Sequence, residues 1–467
     1  MRTPLTTLLR DSRALATLAV PLALTQLAQV ALTTTDTVMM GLMGAEALAG
    51  GGLAMVVFNQ LRTMGVGLVT AVGNQVSAAS ARADEAEELT AAARQEVRDV
   101  VRAALALATL AGVAGALVML AIGRAVAHLG QDAEVVDAAW PVLLALAPGL
   151  VPCLWFQAVR QFTVGMRRPQ ALLRITLASV AVNAGLDWAF IHGSWGIPEL
   201  GLPGIGISTS LVHLLSCSAL YASARRDPRL APLLDIRIWK ARPATLRRLT
   251  GLGVPIAATY GSEAGFFSVV ALLIGTFGSA ALAAHTAVNQ LIYIVFQIAV
   301  GLSHAASLNV SRELALDRID AARRIGNTAL ACAAAVMAVV GVVYLTVPGP
   351  VLRPFLDPSA AGGRSATDIA TDLLLVAAVL QFFDCAQNIG VGLLRGLDDT
   401  GSGFRITLVG YWLIGLPAAW LFGHLAGLDT VGVWLGLLTG LAATALLLLR
   451  RYRQALSVRA AGQPAAA

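Results

Sequence analysis

ALATLAVPLALTQLAQVALTTTDTVMMGLM, residues 14–43, decides the fold. Thirty residues pass with a single charge, Asp36. Coiled as a helix they measure about 45 Å, more than the ~30 Å of a bilayer's hydrocarbon core. Arg2, Arg10 and Arg13 precede the run, as in a signal peptide. The run is too long for one and reaches Met43 without a cleavage-like site, so it reads as a retained first helix.

Eleven further apolar blocks follow, near 46–79, 101–123, 135–160, 170–191, 203–223, 249–276, 280–310, 326–347, 370–394, 403–424 and 429–449. The composition agrees. Of 467 residues 57% are hydrophobic and 13% charged, against about 25% charged in soluble domains. Too little polar surface is available for a cytosolic enzyme, a disordered tail or a secreted scaffold. Strand alternation is absent, which excludes an outer-membrane barrel. Cys153, Cys217, Cys332 and Cys385 lie singly in apolar segments and read as reduced packing residues. The fold class expected is an all-α polytopic membrane protein of twelve transmembrane helices.

The net charge is +6, with Lys240 the only lysine. Arginines gather on one side: Arg82, Arg94, Arg98 and Arg102; Arg160, Arg167, Arg168 and Arg174; the 225–248 loop; Arg312, Arg318, Arg323, Arg324, Arg395 and Arg405; and the tail from Arg450. The opposite side holds Arg124, Arg353 and Arg364. This bias places both termini and the 225–248 loop in the cytoplasm and accounts for the basic balance without nucleic acid.

The halves repeat. Pro21 and Pro255 stand 234 residues apart, and at that separation Ala23 meets Ala257, Thr25 Thr259, Gly41 Gly275, Gly44 Gly278, Leu48 Leu282, Gly67 Gly301 and Ser77 Ser311. Arg174-Ile175-Thr176-Leu177 recurs as Arg405-Ile406-Thr407-Leu408. Six helices per half is an even number, so the repeat is parallel, with its axis along the membrane normal. The expected division is 1–223 (first six helices), a cytoplasmic linker 224–248, 249–450 (last six) and a tail 451–467, with substrate at the interface of the two bundles.

Asp36, Asp187, Glu263 and Asp384 fall well inside spans. A carboxylate at mid-bilayer costs about 2.5–3.5 kcal/mol, so such residues mark ion or substrate paths. Polar neighbours share their helix faces: Gln26, Gln29 and Thr33 with Asp36; Asn183 with Asp187; Thr259 with Glu263; Gln381 and Asn388 with Asp384. The eighth helix adds Gln290, Tyr293 and Gln297. Hard oxygen ligands suit a proton or Na⁺ rather than a transition metal. Pro21 is a candidate hinge. Arg62, a base within the second helix, either pairs with an acid such as Asp36, faces a water-filled cleft or snorkels.

The stretch Thr33-Thr34-Thr35-Asp36-Thr37-Val38-Met39-Met40-Gly41 resembles the first-helix signature of the multidrug and toxic compound extrusion (MATE) transporters, NorM-type branch. Leu252-Gly253-Val254-Pro255 with Glu263, Leu282-Ala283-Ala284-His285, and Gln381-Phe382-Phe383-Asp384 followed by Leu394-Arg395-Gly396 resemble its seventh, eighth and tenth helices. The resemblance spans roughly 14–450. It implies a monomeric, non-enzymatic antiporter of the bacterial inner membrane, surrounded by lipid. Such an antiporter exports organic cations and amphipathic drugs against Na⁺ or H⁺, with no other cofactor. It makes Asp36 the first-lobe acid, Asn183, Asp187 and Thr209 its partners, and Glu263 with Asp384 the second-lobe cation pair. Asp187 stands where NorM-type members tend to have Asn, Leu380 where they tend to have Tyr, and Arg62 has no recognised counterpart; these departures bear on the coupling ion. The alternative is a lipid-linked oligosaccharide flippase of the same superfamily, which calls for a basic cavity.

Overall fold

The computed structural model describes residues 5–84, 91–126, 128, 133–196, 198–356 and 366–461. Arg2 and Arg364, the side chain of Arg10 and tail residues 462–467 lie outside the described residues. Among the described residues, twelve helices are long and apolar enough to cross a membrane: α1 Ser12–Met43, α2 Ala45–Arg82, α3 Ala91–Val126, α4 Ala133–Gly165, α5 Gln170–His192, α6 Leu202–Arg226, α7 Pro243–Gly275, α8 Ser279–Ala315, α9 Ile319–Thr346, α10 Ala366–Gly396, α11 Thr400–Leu425 and α12 Asp429–Ala461. The chain is thus a multi-pass helical membrane protein.

Several helices outrun their apolar cores. α3 starts ten residues before the expected 101, and α12 continues past 449 through the Arg-rich tail. Arg, Glu, Gln and Ala are good helix formers in water; hydropathy marks where the lipid ends, not where the helix does. Within α1 the run of threonines does not break the helix. Thr33 donates to the carbonyl of Val30, Thr34 to Val30, Thr35 to Ala31 and Thr37 to Thr33, so each hydroxyl is satisfied on its own helix. α1 also continues through Pro21.

By compactness the chain forms two units, Leu24–Tyr260 and Met1–Ala23 with Gly261–Ala467. The start of α1 thus groups with the second half, and the start of α7 with the first. The core of the Leu24–Tyr260 unit gathers Met40, Phe58, Met119, Leu146 and Leu150. The core of the other unit gathers Phe266, Tyr411, Trp434, Leu373 and Leu437.

The repeat is visible in backbone and packing. Gly44 and Gly278 both take positive φ (118° and 109°), as do Gly193 and Gly427 (64° and 67°), each pair 234 residues apart. Arg167 and Asp398, 231 apart like the Arg174 and Arg405 motifs, are both left-handed (58° and 62°). A Cβ on Gly67 would lie 2.7 Å from the Ala257 backbone, and one on Gly301 would lie 2.7 Å from that of Ala23. Likewise a Cβ on Gly165 would meet Val76, and one on Gly396 would meet Val310. These equivalences fix the register: 234 for α1 with α7 and α2 with α8, and 231 for α4 with α10.

The loop before α7 is anchored rather than laid out as a bare linker. Leu230, Leu233 and Leu234 are buried. Asp235 receives Arg102 at 2.5 Å and Arg237 at 2.6 Å, while Asp99 pairs with Arg102 at 3.2 Å and Arg242 at 2.9 Å. Hydrogen bonding from Arg237, reinforced by Arg102, holds Asp235 well below the usual carboxylate range against the opposing effect of burial.

Candidate functional site

In the Leu24–Tyr260 unit, α1, α5 and α6 bring Asp36, Asn183, Asp187 and Thr209 together. All four are buried. The Asn183 amide donates to Asp36 at 3.0 Å and to Asp187 at 2.8 Å, so one side chain holds both carboxylates. Thr209 donates to the second Asp36 oxygen at 3.3 Å. Asn183 and Asp187 meet because they lie one helical turn apart on α5. Ser208, which sequence reasoning did not single out, receives the same amide at 3.3 Å. Two acceptors, Asn183 Oδ1 and Asp187 Oδ1, are buried with no hydrogen-bond partner among the described residues. Buried acceptors are normally paired, and two carboxylates cannot share so small a space fully ionised. The oxygen set therefore fits one more positive species, a proton or a hard cation such as Na⁺.

The other unit carries a second acid site. Glu263 on α7 accepts from the Tyr411 hydroxyl at 3.3 Å, and that hydroxyl accepts from Gln387 at 2.6 Å. Asp384 on α10 is buried and close enough for the charge of Glu263 to act on it. Tyr411 is aimed inward from a π-helical stretch of α11, Val409–Gly415, a wide-turn geometry common at functional sites. Tyr411 and Gln387 were missed at the sequence level. Gln387 lies three residues after Asp384, a detectable signal; Tyr411 offered none.

The remaining candidates divide. Gln29, Thr33 and Arg62 line a cavity of about 40 Å³ in the Leu24–Tyr260 unit. Arg62 does not pair with Asp36: among the described residues its one hydrogen bond is from Nε to Asn59 at 3.2 Å. Gln26 stays outside that lining, its Oε1 buried and without a partner. Asn388 donates to the Asp384 carbonyl at 3.4 Å, while Gln381 turns to the Tyr344 hydroxyl at 3.1 Å. Gln290 makes no hydrogen bond among the described residues. Tyr293 is 45% exposed and stacks beside Phe296. Helical spacing put both on the α8 face reckoned polar, yet neither is hydrogen-bonded to the acids.

Residues 21–189 and 255–421 each match the MatE family model, two successive copies that coincide with the repeat. A protein of Pseudomonas aeruginosa described as a probable multidrug resistance protein NorM is 36% identical over 93% of this chain and 88% of its own. One of the same description from Bradyrhizobium diazoefficiens is 34% identical over 93% and 92%. Among solved structures, an outward-facing multidrug resistance MATE family transporter of the MOP superfamily superposes with a TM-score of 0.85 over 99% of this chain and 100% of that one, at 18% identity. A eukaryotic MATE transporter does so with 0.79 over 97% and 99%, at 20% identity. With two acid-bearing units built on one duplicated frame, and relatives alike over nearly their whole length, the chain belongs to the MatE family, in its NorM-type branch, and is a transporter rather than an enzyme.

Proposed function

We propose that the chain is a secondary multidrug efflux antiporter, exporting cationic or amphipathic organic compounds in exchange for Na⁺ or H⁺. The observation that carries the reading is the Asp36–Asn183–Asp187 cluster, whose acceptors outnumber its donors. An ion entering there relieves the repulsion of the two carboxylates and satisfies the two orphaned oxygens. Glu263 and Asp384 do the same in the second unit, where Tyr411 is the only side-chain donor to Glu263 among the described residues. One charge moving down 100 mV supplies about 2.3 kcal/mol, enough for roughly a 50-fold concentration ratio. The NorM relatives favour drug export over the flippase alternative. The Arg asymmetry supports an inner-membrane protein with both termini cytoplasmic. The reading takes it as a monomer among lipids, with small-molecule cargo and no nucleic-acid partner.

Dye efflux into everted vesicles, with Na⁺ and pH gradients imposed separately, tests this. One gradient should drive efflux by the wild type, and Glu263→Gln and Asp384→Asn should each abolish it while inserting normally. Undiminished efflux by both variants would refute the reading.

A further inference from the structure

Arg62 lies mid-helix, seventeen residues from the start of Ala45–Asp84 and twenty-two from its end, about 25 and 33 Å along the axis. A base at such depth is costly and normally paired. Yet Arg62 has no acid within ion-pair distance among the described residues; its Nε is held by Asn59 and its two terminal nitrogens have no hydrogen-bond partner. Arg62 lines the 40 Å³ cavity together with Asn59, Gln157, Cys153, His213 and Gln29. The Asn59 and Gln157 carbonyl oxygens are already used, by Arg62 and by Arg160, so both amides have their NH₂ groups left as donors. No carboxylate lines the cavity. Asp36 lies behind the cavity-lining Thr209, near enough for the Arg62 charge to act on it but beyond ion-pair distance, with its oxygens engaged by Asn183 and Thr209.

The repeat shows what has changed here. At the 234-residue separation Gln29 stands where the other unit has Glu263, and Arg62 stands where it has Phe296. At the 231-residue separation of α4 and α10, Cys153 stands where the other unit has Asp384, and Gln157 where it has Asn388. The position that holds two acids in one unit therefore holds none in the other, which has gained a guanidinium. In one frame, one unit carries two acids in this region and the other a guanidinium one position set away.

We infer that the Arg62 cavity receives the carboxylate of cargo that carries one, which makes Arg62 the residue that favours such a compound over its neutral ester. This deepens the efflux reading and rests on it. The cavity has room for a few atoms, enough for a carboxylate and not for a whole drug. The planar guanidinium fork with two amide donors beside it matches a carboxylate's four lone-pair positions.

The test compares a rhodamine dye bearing a free carboxylate with its methyl ester. Binding to the purified full-length protein in detergent is read by fluorescence anisotropy, and transport is read in energised vesicles. In Arg62→Gln, binding of the acid form should weaken by about tenfold or more while the ester changes by less than about twofold. Gln29→Glu keeps the guanidinium but offers it an internal carboxylate, and should likewise weaken the acid form alone. Arg62→Lys should retain part of the preference, since the charge survives and the fork does not. Equal binding of the acid form by wild type and Arg62→Gln, an equal fall for both dyes, or failure of the wild type to bind either would overturn the inference. Wild-type binding that is intact, with neither dye moved by any gradient, would count against the efflux reading and leave the Arg62 comparison decisive.

Discussion

Replacing Asp36 with Asn should make the protein more stable and less able to pump. The carboxylate is fully buried, and among the described residues its donors are the Asn183 amide at 3.0 Å and the Thr209 hydroxyl at 3.3 Å. The new amide has the same size and can keep both contacts, its oxygen accepting from Asn183 and its nitrogen donating to Thr209. What disappears is one of two adjacent charges. An ionised Asp at mid-bilayer costs about 2.5–3.5 kcal/mol on the insertion scale. Part of that is already offset by hydrogen bonding, which leaves a gain of roughly 1–2 kcal/mol. Unfolding temperature should rise by a few degrees, at ~2–4 °C per kcal/mol. The eight tryptophans provide the fluorescence signal for detergent-solubilised protein. Efflux should fall by up to about 50-fold, the ratio one charge supports at 100 mV. A variant that melts earlier than wild type by more than about 1 kcal/mol, or that pumps at the wild-type level, would refute the reasoning that this carboxylate is kept for the ion at the expense of stability.

Three further outcomes follow from contacts elsewhere. Asp235→Asn strips the buried Arg102 of its shorter ion pair while leaving Asp99, and should cost about 2–4 kcal/mol in thermal unfolding. Because Asp235 titrates below its unfolded value, its contribution is complete above pH ~4 and lost only as pH falls through the folded value. Wild-type stability from this pair should therefore be flat between pH 7 and 5; a decline there that Asp235→Asn removes would contradict the assignment. Gly67→Val and Gly301→Val should each destabilise by roughly 1–3 kcal/mol, and by similar amounts, since both side chains would meet an Ala backbone across a helix pair; a difference of more than about 1 kcal/mol would argue against equivalent packing. Tyr411→Phe removes the hydroxyl between Glu263 and Gln387 and should cost about 1–3 kcal/mol along with a drop in efflux. Efflux at the wild-type level would remove Tyr411 from the second acid site.

Much of the fold and of both acid sites is legible in the sequence. Asn183 and Asp187 announce their shared face by a four-residue step, and the acids announce themselves by the cost of their position. The glycine and proline matches at a constant separation gave the duplicated frame. What sequence could not supply is rotation and long-range choice. Gln381 sits on the same α10 face as Asp384 yet satisfies Tyr344, because a glutamine takes whichever acceptor its neighbours present. Tyr293 has the spacing, but it is half-exposed and stacks beside Phe296 instead of bonding to an acid. Tyr411 reaches Glu263 from a stretch where α11 widens locally, and no residue pattern spells that widening. Arg62 was conspicuous by charge, but its lack of an acid partner depends on where three other helices place their side chains. Thr209 was reached through family likeness alone.

Gly67 lies against Ala257, and Gly301 against Ala23, so each half of the polypeptide lends its opening arm to the other half. A chain cut between α6 and α7 leaves the notch at Gly67 without the strut that fills it. Made by itself, such a half-length product could close that notch only by borrowing from a second copy, arm for arm. The duplicated gene would then be a fused pair of exchanged partners, with two co-produced fragments able to reassemble where either one, expressed alone as a single copy, could not.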